Sequence, residues 1–117
     1  MEEIEKTFLE EYEGAINETK AERYKNATIL FSKALFALCD ILIYAKLSKL
    51  AKNHTEKFRI LEEYYPEIYA IVDSIFMHYT DAYSKPILKE TCAKIQDGIK
   101  KIIRIQKVPE TVKEAVK

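Results

Sequence analysis

The chain reads as an all-α protein, an up-and-down bundle of four to five antiparallel helices. Three observations lead there. Only 2 glycines and 3 prolines punctuate 117 residues, so turns are scarce and the elements must be long. The long stretches are rich in Ala, Leu, Ile, Lys and Glu, residues that lose little on entering a helix. Their apolar residues return every three to four positions, the period of one helix face. With 48% hydrophobic and 32% charged residues the composition is globular, which excludes a disordered chain. Residues 1–117 make one domain, long enough to bury a core without disulfide staples.

The elements follow in order. Ile4, Phe8, Tyr12, Ala15 and Ile16 share one face, which predicts an amphipathic first helix over 2–19. A second helix is expected over 21–52. There Glu22, Asn26, Lys33 and Asp40 fall on one narrow polar stripe beside Tyr44, and Tyr24, Phe31, Leu35, Leu38 and Leu42 crowd the opposite side. A helix apolar around most of its circumference belongs at the centre of the fold. Its run 27–45 approaches the length of a membrane span. Lys33 and Asp40 interrupt it, and each would cost several kcal/mol at a bilayer centre, so a soluble core helix is expected.

KNHT at 52–55 breaks the pattern, with Asn53 or Thr55 able to cap a short helix over 56–64. Pro66 disfavours helix at Tyr65 and suits the first turn of a helix over 66–84. Pro86 repeats the device, starting a helix over 86–107 with Leu88, Cys92, Ile95, Ile99, Ile102 and Ile103 as its apolar stripe. Pro109 then detaches 108–117 as a short, charged tail, expected to be a frayed helix.

Charge is balanced in total and uneven in place. Residues 1–19 carry Glu2, Glu3, Glu5, Glu10, Glu11, Glu13 and Glu18 against Lys6. Residues 85–107 carry Lys85, Lys89, Lys94, Lys100, Lys101, Arg104 and Lys107 against Glu90 and Asp97. These are two solvated helix faces, or a phosphate-binding surface at Lys94, Lys101 and Arg104, or an acidic helix that meets a basic one between subunits. Cys39 and Cys92 lie inside apolar runs without CxxC spacing, which predicts buried free thiols in a cytoplasmic protein. The acidic, amphipathic N-terminus is not that of a signal peptide. Few Asn and Gln beside many Glu, Lys and Ile point toward a thermophile.

One stretch concentrates the chemistry: MHYTDAYSKP, residues 77–86. On the helical wheel Ile68, Val72, Ile75, Phe76, Tyr79 and Tyr83 share the apolar face, while Ser74, His78, Asp81 and Lys85 form a polar stripe beside it. Tyr79 and Tyr83 are expected to be mostly buried, and His78, Asp81 and Lys85 to line a groove together. His78 and Asp81, three apart, can meet, so that the carboxylate sets the imidazole tautomer for acid–base work. The candidate catalytic residues are therefore His78, Asp81 and Tyr83, and the candidate ligand contacts Tyr79, Tyr83 and Lys85. Lys85 would meet a phosphate and a tyrosine ring would stack on a base. His54, in the NHT turn, is expected to serve the cap region. No HxxxH or HExxH spacing and no glycine-rich phosphate loop occurs, so neither a metal nor a cofactor is expected.

The order of elements resembles the HEPN domains of prokaryotes and archaea over about residues 20–107. The likeness is carried by the helix YKNATILFSKALFALCDILI, the histidine-containing connection NHTEKF, and a long helix with an aromatic-rich end. The closing helix ILKETCAKIQDGIKKII completes it. DAYSKP before KETCAKI is similar to the family's Asp-Tyr ending ahead of its last helix. The resemblance implies a helical bundle, commonly dimeric and often encoded beside a small nucleotidyltransferase. The partners it implies are a second copy, a nucleotidyltransferase-type subunit, and a nucleotide or RNA. The family's ribonucleases carry an arginine followed closely by a histidine. Here Met77, His78 and Tyr79 stand where the arginine would fall, and Ala82 and Tyr83 where the histidine would. The departure implies a non-catalytic binding or accessory protein. The alternatives are a divergent metal-independent ribonuclease using His78 and Tyr83, and a structural scaffold that binds only protein.

Overall fold

The first helix, α1 (Glu2–Lys20), buries Ile4, Phe8, Tyr12 and Ala15 along a single stripe. Glu2, Glu3 and Glu5 in its first turn suit the positive end of the helix dipole. The computed structural model describes residues 2–117, and those residues form six helices and no strand. α1 closes with a tight reversal. The Arg23 N–H donates to the Glu18 carbonyl at 2.9 Å and the Glu22 N–H to the Thr19 carbonyl at 3.0 Å, the paired bonds of a Schellman turn. That turn needs a left-handed residue, and Glu22 fills the place at φ 61° where glycine would cost less. The reversal takes up residues 21–23, so the second helix starts later than its apolar pattern suggested.

α2 (Tyr24–Leu47) is the centre of the fold, touching α1, α3 (His54–Tyr64), α4 (Pro66–Asp81) and α5 (Lys89–Ile105). Phe31, Leu35, Leu38 and Ile43 are fully buried, together with Thr28 and Ser32. The Ser32 hydroxyl donates to the Thr28 carbonyl at 2.7 Å. Among the described residues α2 is the one helix long and apolar enough to cross a membrane, and 72% of its apolar window is buried inside the fold. Neighbouring helices of the same chain therefore cover most of its apolar circumference. Ile95, Ile99 and Ile102 of α5 are likewise fully buried within the chain. α2 ends at Leu47 rather than at 52, because Ser48 turns left-handed (φ 57°) and donates its N–H to the Tyr44 carbonyl.

Of the two candidate caps for α3, Asn53 takes the role. Its Oδ1 accepts from the Glu56 N–H at 2.9 Å, and the Glu56 carboxylate accepts in turn from the Lys52 N–H at 3.2 Å. Pro66 occupies the first turn of α4, where its missing N–H costs nothing. α4 stops at Asp81, three residues short of the expected end, as its last turn tightens. Tyr83 N–H bonds the Thr80 carbonyl, and Ser84 and Lys85 N–H both bond that of Asp81. Pro86 does not begin the next helix: residues 86–88 run as an extended link and α5 starts at Lys89.

The tail is helical as expected, but docked rather than frayed. Residues 110–116 form α6 (Glu110–Val116), and its Val112 and Val116 are buried. The Thr111 hydroxyl donates to Glu5 Oε1 at 2.9 Å, pinning α6 on α1. Two valines spaced four apart suffice to dock a short helix whose other residues are polar. The radius of gyration, 13.3 Å, is that of a compact domain of this length (about 13 Å).

Candidate functional site

The rotation of α4 distributes the stretch 77–86 to three places. Ile68, Val72 and Ile75 point into the core, so residues one position before and one position after them fall on opposite flanks. One flank, with Ser74 and His78, faces α5; the other, with Phe76 and Tyr79, faces α2 and α3. On the first flank α5 comes very close. A Cβ built at Gly98 would stand 2.4 Å from Ile75 Cδ1 and 3.3 Å from Ile71 Cγ2, so no larger residue fits without movement. Beside this contact runs an open groove of about 420 Å³. Ile71 and Ile75 form its floor, Ser74 and His78 its α4 wall, and Lys94, Asp97 and Lys101 its α5 wall. Lys94 and Lys101 lie seven apart, two turns along one face, and both are exposed.

Asp81 does not join His78 there. Its Oδ1 pairs with Lys85 Nζ at 3.4 Å, an exposed i,i+4 contact, and no hydrogen bond or ion pair links it to His78 among the described residues. The expected groove of His78, Asp81 and Lys85 is thus replaced by one of His78, Lys94 and Lys101. The difference lies at the helix end. Asp81 is the last residue of α4, and its carboxylate is engaged along the chain by Lys85.

Tyr79 and Tyr83 form a third group. Their rings meet edge to face with centroids 5.4 Å apart, and their hydroxyls share a hydrogen bond of 3.2 Å. Tyr79 is half-buried. Tyr83 is 55% exposed, against the burial its place on the wheel suggested, because α4 has already ended and its ring stands on the tightened turn. Burial pushes the Tyr79 hydroxyl up to about 12, with the Tyr83 hydroxyl and the Glu11 carboxylate adding to the shift. At neutral pH Tyr79 therefore keeps its proton.

Beneath Tyr79 lies an aromatic cluster that the sequence reading missed. Phe36 of α2 meets Tyr79 edge-on at 5.1 Å and the His54 ring at 4.5 Å; Phe76 meets His54 at 5.5 Å and Phe58 at 4.9 Å. His54 is thus the anchor of α3 as well as a neighbour of its cap. Its Nδ1 is buried without a hydrogen-bond partner, and burial, then the Lys57 charge, lower its pKa, with Asp40 opposing. Lys57 is itself buried, its Nζ 3.1 Å from Asp40 Oδ1 and 5.5 Å from the Phe36 ring centroid. A signal existed. Lys57 lies three residues from His54 and from Ile60, on the stripe that α3 turns inward, and Asp40 interrupts an apolar helix at a matching height.

Arg104 parts company with Lys94 and Lys101. It opens toward α6, where it lines a separate depression with Lys100 and Lys113. Cys39 and Cys92 are buried free thiols, and burial pushes the Cys39 thiol up to about 12, which leaves it unreactive. Among the described residues no group of three or more His, Cys, Asp or Glu is placed to hold a metal ion. The chain matches no family model, no curated protein and no solved structure.

Proposed function

We propose that the chain is a non-catalytic binding or accessory protein of the HEPN type, dimeric and cytoplasmic, that holds a nucleotide or RNA over the α4/α5 groove. Its longer helices then form the up-and-down antiparallel bundle of that family, with α6 as an addition. The observation that carries the reading is the convergence of His78, Lys94 and Lys101 on one groove, while Asp81 and Tyr83 lie elsewhere. Asp81 and Tyr83, held outside the groove, do not assist proton transfer at His78, whereas Lys94 and Lys101, two turns apart with Asp97 between them on the same wall, can meet successive phosphates as point charges.

The test is anisotropy of a labelled single-stranded RNA titrated with protein across a salt series. Affinity falls linearly on a logarithmic plot, and charge reversal at Lys94 and Lys101 lowers the slope by about 1.4, roughly 0.7 for each lost phosphate contact. No binding at low salt, or a variant indistinguishable from wild type, overturns the reading. Metal-independent RNA cleavage that is lost in His78→Ala or Tyr83→Phe promotes the divergent ribonuclease in its place.

The dimer has its own support. Met77, Tyr83 and Leu88 are 63%, 55% and 67% exposed around the end of α4 and the link to α5, an apolar surface suited to a second copy or a nucleotidyltransferase-type subunit. Light scattering that gives a monomer at tens of micromolar refutes self-association.

A further inference from the structure

We infer that the depression between α5 and α6 is a second anion site, built for a ligand with consecutive phosphate groups. Docking of Val112 and Val116 sets the outer face of α6 opposite the end of α5. The result is an open depression of about 280 Å³ with Ile103 and Val116 as its floor and Lys100, Arg104, Lys113 and Lys117 around it.

Four cations from two helices around one depression repel each other, and Glu114 offsets part of this, its pKa lowered first by Lys117 and more weakly by Lys113. Lys117 pairs with Glu114 at 3.1 Å; Lys100, Arg104 and Lys113 have no ion pair among the described residues. Favourable interaction with a helix dipole accounts for a cation in the last turn of α5 or of α6. It does not account for the two sets facing each other across a shared floor. A bound polyanion turns that repulsion into attraction. Three unpaired cations call for more than one negative charge, hence more than one phosphate. Arg104 offers a planar fork for a bidentate phosphate contact, the lysines supply point charges, and the apolar floor lowers the local dielectric beneath them. The site opens on the side of α5 away from Lys94 and Lys101, and it stands whether or not the α4/α5 groove binds RNA. Its ligand is a free polyphosphate, as in a nucleoside triphosphate, or the phosphodiester backbone of a single strand.

Inorganic tripolyphosphate and a short single-stranded RNA are titrated separately into isotope-labelled protein while backbone amide shifts are followed. Wild type is compared with Arg104→Gln/Lys113→Gln and Lys94→Gln/Lys101→Gln, each checked for native circular dichroism. Saturable shifts at residues 103–104 and 111–117 are expected, with the affinity read at those residues at least tenfold weaker in the Arg104/Lys113 pair; shifts at residues 71–78 and 94–98 report the α4/α5 groove and are the ones the Lys94/Lys101 pair weakens. A response to tripolyphosphate identifies free polyphosphate as the source; a response to RNA alone identifies the backbone. If neither ligand gives saturable shifts there, or the Arg104/Lys113 pair binds as wild type does, the inference is wrong. Failure of the groove reading is distinct, because it is read from the Lys94/Lys101 pair.

Discussion

Replacing Gly98 by alanine tests the contact on which the α4/α5 groove is built. Two effects oppose each other. Alanine in a helix interior is favoured over glycine by about 1 kcal/mol. Its Cβ, however, would lie 2.4 Å from Ile75 Cδ1 and 3.3 Å from Ile71 Cγ2, and overpacking of this kind costs about 1–3 kcal/mol. The near atom is the end of a side chain, which can move, but Ile75 is only 4% exposed and has little room. The expected net effect of Gly98→Ala is therefore a loss of about 1 kcal/mol, read from urea midpoints at unchanged m-value. The diagnostic step is a cycle with Ile75→Val, which removes the clashing Cδ1. Alone, Ile75→Val costs about 0.5–1.5 kcal/mol; in the Gly98→Ala background it should cost nothing or stabilise, a coupling of about 1 kcal/mol. If Gly98→Ala raises stability by its full helix-propensity gain and the two changes add within about 0.5 kcal/mol, α4 and α5 are not in this contact.

Other perturbations discriminate among the remaining interactions. Asp40→Ala strands the Lys57 ammonium and should cost about 1–3 kcal/mol, less than a fully buried pair because the Asp40 side chain stays 26% exposed; Asp40→Ala/Lys57→Met should recover most of it in chemical denaturation. The His54 pKa is lowered in the folded protein from 6.5, so the unfolded chain binds the extra proton. Stability is full above pH 6.5 and falls as the pH drops through 6.5 toward the folded value, and His54→Phe should remove that share of the slope in a pH series of urea melts. Phe36→Ala should cost about 3–5 kcal/mol, whereas Tyr83→Ala, its ring 55% exposed, should cost about 1 kcal/mol or less; equal thermal shifts would contradict the burial described. Glu22→Gly should stabilise by about 1 kcal/mol by relieving the left-handed backbone at φ 61°, and a lower Tm would mean that the turn is not the one described.

Much of the fold was legible because its determinants are local. The 3.6-residue recurrence of Ile4, Phe8 and Tyr12, the Asn53 cap and Pro66 in the first turn of α4 act within a few residues of themselves, and each lies where its chemistry requires. The helix ends were less legible. The Schellman turn at Glu22, the left-handed Ser48 and the tightened turn after Asp81 arise in residues without a strong turn signature, so apolar periodicity alone overran them. The candidate site was the least legible. A helical wheel fixes the angle of His78, Asp81 and Tyr83 about their own axis and says nothing of which helix stands at that angle.

The sequence by itself determined the all-helical class, the centrality of α2, the burial of both thiols and the basic character of α5, since composition and period are properties of one segment at a time. Only the tertiary structure decided that His78 faces Lys94 and Lys101 rather than Asp81, that Arg104 turns toward α6, that His54 and Lys57 lie among aromatic rings, and that two valines dock the tail. These are contacts between residues far apart in the chain, set by how closely α5 approaches α4 at Gly98 and by where α6 comes to rest. Interhelical distance and rotation follow from the packing of every side chain at once.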